Sequence, residues 1–108
     1  ALIMLLYKIR KNYLMPRYED IEHISKKVAD LSRARQSLIE ELEAIMFYDE
    51  RISATDDPTL KEVLSHNRDD EKEHAALLIE WLRRNDPEFE KELKEKLFQE
   101  KSFKELGD

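Results

Sequence analysis

Leu31, Ala34, Leu38, Glu41, Ile45, Tyr48 and Ile52 recur at steps of three and four along the first half of the chain. Leu60, Leu64, Asn67, Glu71, His74, Leu78 and Trp81 repeat the pattern in the second half. That spacing puts each set on one face of an α-helix. Stop signals divide the pattern. "ATDDPT" offers Asp57 as a helix cap and Pro58 at the first helical position, and "NDPEF" repeats the device with Asp86 and Pro87. The sequence therefore predicts one helix from about Tyr18 to Ser53 and a second from Pro58 to about Arg84. A shorter third helix carries Phe89, Leu93 and Leu97 on one face, and "KSFKELGD" reads as a frayed tail.

Two long helices joined by a short loop pack antiparallel as a hairpin. A hairpin has too little surface of its own to bury both stripes, so it reads as half of a four-helix bundle. The simplest completion is a second copy related by a two-fold axis. The expected fold class is all-α: an antiparallel two-helix hairpin plus a short C-terminal helix, completed by dimerisation. The expected division is an N-terminal extension over residues 1–14, a helical hairpin domain over 15–100 and a tail over 101–108.

Composition narrows this picture. The 108 residues suffice for one small domain, and the single glycine, Gly107, leaves little material for hairpin turns between strands. Charged residues make up 41% of the chain, so its surface is densely charged. A net charge of −6 disfavours a nucleic-acid backbone as partner and suits a protein that gathers cations. With no cysteine, disulfides, thiolate metal sites and a cysteine nucleophile are excluded. No segment is long enough to span a bilayer. In "ALIMLLYKIRKNYL" the basic residues follow the apolar run, the wrong order for a secretory signal. The segment could lie on a membrane or a partner surface, while Met15 offers another start to the natural chain; the sequence assigns it no function.

Both apolar stripes are interrupted by charge. Glu41 sits between Leu38 and Ile45 in the first, and Glu71 and His74 sit within the second. A carboxylate taken out of water costs several kcal/mol unless something compensates. Glu71 and His74 form a Glu-x-x-His motif whose side chains leave one helical face. In di-iron carboxylate bundles two helices each give a glutamate and two others each give Glu-x-x-His. This hairpin carries one of each, so a two-fold dimer would supply four glutamates and two histidines to two metals. Four carboxylates against two divalent ions leave the site neutral, and mostly oxygen ligands favour iron or manganese over tetrahedral zinc. Read as structure alone, Glu71 pairs with an arginine across an interface and His74 is a satisfied core histidine. Glu40 and Glu43 lie off the seam as a solvated acidic face that could feed cations inward. Tyr48, one heptad beyond Glu41, is a core residue whose hydroxyl could reach the site. His66, Asp70 and Glu73 share a second, solvated face that could hold a weak cation site.

Residues 40–86 also resemble a known family. "EELEA", the Tyr48-Asp49 pair, "HNRD", "EKEHAA" and "EWLRRND" are in register with the encapsulated ferritins, short ferritin-like proteins packaged inside encapsulin nanocompartments. The likeness covers both long helices and extends weakly to Met15 and to the third helix. It implies a ferritin-like half-bundle whose ferroxidase centre, with a di-iron cofactor, forms between two chains, within a decamer of five such dimers. It places the iron ligands and catalytic groups on Glu41, Glu71 and His74, with Tyr48 beside them. It also places a metal-uptake site at Glu40 and Glu43, and a peripheral metal position at His66, Asp70 and Glu73. The implied location is a cytoplasmic encapsulin shell, with iron storage as the purpose. "KSFKELGD" lacks the Gly-Ser-Leu core of the family's packaging peptides, so the chain is truncated, packaged by another signal or not packaged. Two other readings stay open: a non-catalytic dimeric scaffold or adaptor, and a di-manganese or peroxide-scavenging relative with the same ligands.

Overall fold

A computed structural model of the protein describes residues 2–6 and 19–107. Most of the expected N-terminal extension, and the expected helix start at Tyr18, lie outside the described residues. Residues 2–6 are helical, with Met4 buried and Leu2, Leu5 and Leu6 exposed.

The first long helix, α1, spans Lys26–Ala54 after a 3-10 turn at Ile21–His23. It begins where Ser25 adopts extended backbone and its hydroxyl accepts a hydrogen bond from the Val28 amide at 3.1 Å. That cap occupies an otherwise unpartnered N–H and starts the helix at Lys26, eight residues after the predicted Tyr18. The second, α2, spans Pro58–Asn85, and α3 spans Pro87–Lys96. Asp57 caps α2 by accepting from the Thr59 and Leu60 amides at 2.9 and 3.2 Å, and Asp86 caps α3 by accepting from the Phe89 amide at 3.2 Å. The tail is not frayed over its described length. Phe103–Gly107 form a short helix, α4, because Ser102 and Glu105 make a reciprocal cap: the Ser102 hydroxyl accepts from the Glu105 amide and donates to its carboxylate.

The Asp57 carboxyl is held below its ordinary value of 3.8, first by the Thr59 hydroxyl and then by the Leu60 and Thr59 amides. A depressed folded-state pKa stabilises the fold above the unfolded value and is lost as pH falls through the folded one. Asp57→Ala is therefore expected to lower the thermal midpoint at neutral pH. That difference from wild type should vanish on acidification below pH 3.8, read by circular dichroism across a pH series.

Cross-helix contacts define the hairpin. Lys61 Nζ donates to the Ile52 carbonyl at 2.7 Å, Arg68 Nη1 meets Asp49 Oδ1 at 3.0 Å, His74 Nδ1 lies 3.7 Å from Glu41 Oε2, and Arg35 Nη2 meets Asp86 Oδ2 at 3.0 Å. Partners rise along one helix as they fall along the other, so the helices run antiparallel. At the elbow, Arg83 grips Glu80 at 2.6 Å and reaches Glu90 of α3 at 3.4 Å. Arg83 and Arg84 together hold the Glu80 carboxyl down to about 2.

The most deeply buried line between the helices shares only Tyr48 with the predicted stripes, whose other positions on α1 are half-buried. On α1 it runs through Ala29, Glu40, Ala44 and Tyr48, and on α2 through Ala75 and Leu82. Alanines at three of these positions alternate with the larger Tyr48, Leu82 and Glu40. Leu60 and Trp81, expected in the seam, are exposed, as are Ile39, Leu42, Met46, Val63 and Leu77. The hairpin thus buries few apolar groups and leaves many in water, the imbalance that a partner surface corrects. No described helix is long and apolar enough to cross a membrane.

Candidate metal centre

Glu41 lies mid-way along α1, and Glu71 and His74 lie mid-way along α2. The antiparallel register brings them level. One ligand atom from each lies within 4.8 Å of the others, the one such group of three or more acidic or imidazole side chains among the described residues. His74 Nδ1 stands 3.3 Å from Glu71 Oε2 and 3.7 Å from Glu41 Oε2. The carboxylates are mostly shielded, at 17% and 14% exposure for Glu41 and Glu71, while His74 is 51% exposed. The group therefore sits on the flank of the hairpin, half inside and half facing outward.

One atom tests whether a cation fits. Glu41 Oε2 is buried and has no hydrogen-bond partner. The imidazole nitrogen at 3.7 Å is too far to donate to it. A buried carboxylate oxygen without a donor is costly, and a bound cation removes that cost. Two carboxylates and one imidazole on the flank are an oxygen-rich donor set that suits iron or manganese and leaves positions for further ligands.

The other sequence candidates take varied places. Tyr48 is buried, two helical turns from Glu41 toward the loop. Glu40 is not on a solvated face: it is 7% exposed, and Gln36 Nε2 donates to its Oε2 at 3.1 Å. The stripe facing α2 is rotated from the predicted one, and that rotation carries Glu40 inward. Glu43 is half-buried. His66 and Asp70 approach to 3.4 Å on an exposed face, and Glu73 is exposed on the same helix without completing a three-ligand group with them.

Sequence reasoning missed Arg68 and Asp49, which join α1 to α2 on the loop side of the centre. The signal was present: Leu64, Arg68, Glu71, Ala75, Leu78 and Leu82 also recur at steps of four and three, and this line contains both buried residues of α2. An arginine in the run concealed it.

A profile of the EncFtn-like family matches residues 16–100. The chain is 47% identical over 83 residues to an encapsulated ferritin-like protein of Rhodospirillum rubrum, covering 77% of this chain and 59% of that one. It is 44% identical over 89 residues to a ferritin-like protein of Thermotoga maritima, covering 82% and 78% of the two chains. An encapsulin nanocompartment cargo protein of Myxococcus xanthus is 41% identical over 68 residues, which span 60% of this chain and 52% of that relative. The chain thus matches little more than half the length of the Rhodospirillum and Myxococcus relatives. A crystal structure of a Nitrosomonas europaea protein superposes with a TM-score of 0.79 at 50% identity, covering 82% of this chain and 97% of that one.

Proposed function

The chain belongs to the EncFtn-like family, and on that footing we propose that it is a ferroxidase whose di-iron centre forms between two copies of the hairpin. The observation that carries this reading is the meeting of Glu41, Glu71 and His74 around a buried carboxylate oxygen without a hydrogen-bond donor. Their position on the flank, beside the exposed Leu42 and Leu77, supports completion of the site by a second copy. Two copies would offer four carboxylates and two imidazoles, enough for two ferrous ions at neutral net charge.

Iron is the substrate: each Fe(II) gives up one electron to dioxygen and becomes Fe(III). The chain's own groups bind and orient. Glu41, from α1, and Glu71 with His74, one turn apart on α2, would hold the ions. Burial of Glu41 and Glu71 strengthens their hold by excluding competing water. Tyr48 stands by as a buried phenol, and Glu40 with Glu43 forms an uptake site on the same helix. His66 and Asp70, 3.4 Å apart on an exposed face with Glu73 on the same helix, would hold a peripheral cation only weakly. The encapsulin-cargo relatives support a place inside an encapsulin compartment, where iron oxidised by a decameric ring would be stored.

The non-catalytic scaffold reading explains the exposed apolar faces equally well, but leaves Glu41 Oε2 buried without purpose. An anaerobic Fe(II) titration of the wild-type chain, read as bound metal in mass-resolved assemblies, separates the two. One iron per chain, found only in even-numbered assemblies and oxidised on admitting air, is the expected result. Weak binding independent of assembly would sink the ferroxidase reading.

A further inference from the structure

Arg68 lies on the buried line of α2, one turn before Glu71. Its Nη1 donates to Asp49 Oδ1 of α1 at 3.0 Å, and its Nε donates to Asp69 Oδ1 of its own helix at 3.2 Å. The planar guanidinium is thereby held from one side by Asp69 and aimed across the hairpin at Asp49. Asp49 directly follows the buried Tyr48 and stands eight residues after Glu41. The pair therefore ties the two helices together on the loop side of the centre.

We propose that Arg68 and Asp49 are positioning residues for the metal centre, setting the register that brings Glu71 and His74 of α2 level with Glu41 of α1. This inference rests on the reading of those three residues as metal ligands. Packing alone sets the register weakly here. The innermost residues beside the centre are Ala44 and Ala75, and no described side chain is fully buried. Alanines present a shallow surface with little to interlock. The connecting loop fixes one end only, and Glu41 lies 14 residues before Thr55. Metal–ligand distances tolerate only about 0.2 Å, whereas a slip of one residue displaces a helix by about 1.5 Å. A fork bridging carboxylates on both helices supplies the finer constraint. Asp49 is largely solvated, so the pair adds little to stability. Its loss should appear in the metal site and not in the fold.

The test is an anaerobic Co(II) titration of the full chain, followed by the d–d absorption bands that report coordination geometry. Arg68→Gln and Asp49→Asn are each expected to weaken Co(II) binding by about 10–100-fold and to change the band intensities. Helix content and thermal midpoint should stay at wild-type values, and Asp49→Glu should restore part of the affinity. Unchanged affinity and spectrum in both variants would overturn the proposal, as would a loss of helix content in both. Should Arg68→Gln alone fail to fold, Asp49→Asn decides by the same readings. Glu71→Ala separates the two levels of inference. If it binds Co(II) as tightly as wild type, the ligand assignment falls and takes the positioning role with it. If it loses Co(II) while the Arg68 and Asp49 variants keep it, the positioning role alone falls.

Discussion

Glu71→Ala is expected to abolish iron oxidation above the rate in buffer and to weaken Fe(II) binding by more than about 100-fold, beyond the 10–100-fold typical of groups that merely support a ligand. Glu71 makes the shortest contact of the group, 3.3 Å from His74, and shares the 4.8 Å cluster with Glu41. Removing it leaves one glutamate and one histidine per chain, too few donors to hold iron firmly in either copy. The same substitution should leave the iron-free protein as stable as wild type or slightly more so. A mostly shielded carboxylate has been removed, and alanine is the best helix former. The opposed signs make the test sharp. Oxidation kinetics by ultraviolet absorbance and thermal unfolding without iron would be measured on the same preparation. Retained oxidation, or a large loss of iron-free stability, would make Glu71 a structural residue.

Leu82→Ala is expected to cost about 2–5 kcal/mol, the range for emptying a buried leucine site. Leu82 is 3% exposed and is the largest apolar side chain buried on α2. With few other buried apolar groups in the hairpin, neighbouring side chains can do little to refill the space. At about 4–8 °C per kcal/mol for a domain of this size, the thermal midpoint should fall by roughly 10 °C or more. Leu77→Ala is the matched comparison, since Leu77 is 63% exposed in the single chain. Its effect on a lone hairpin should be small. If a second copy covers that face, Leu77→Ala should instead shift the assembly toward smaller species in native mass spectra. Both variants would be melted at one fixed protein concentration, because stability shared across an interface depends on it. A Leu82→Ala midpoint within a degree or two of wild type would contradict the packing described for α2.

Much of the architecture was legible because its signals are local. Asp57-Pro58 and Asp86-Pro87 each place a carboxylate on free helix amides and a ring where no donor is needed, and both helices start there. Ser25 and Ser102 use the same chemistry without a proline to mark it, so the late start of α1 and the capped α4 were overlooked. The stripes were found but set slightly askew. The α2 positions Asn67, His74 and Trp81 each lie one residue from Arg68, Ala75 and Leu82, about 100° around the helix. The larger hydrophobes drew the stripe toward themselves, while the buried line also takes in alanines that carry little hydrophobic weight in a periodicity.

Sequence by itself determined the helices, the hairpin and the presence of Glu71 and His74 on one face, because all of these follow from spacings within a turn or two of one helix. It also held the family likeness, since a helix carrying a motif keeps its residues in order. Only the tertiary structure decided that Glu41 meets that pair, that Glu40 turns inward, and that Arg68 reaches Asp49. Those facts depend on the rotation and register of one helix against another. They are fixed by side chains that meet from both helices, and no periodicity along a single helix records that.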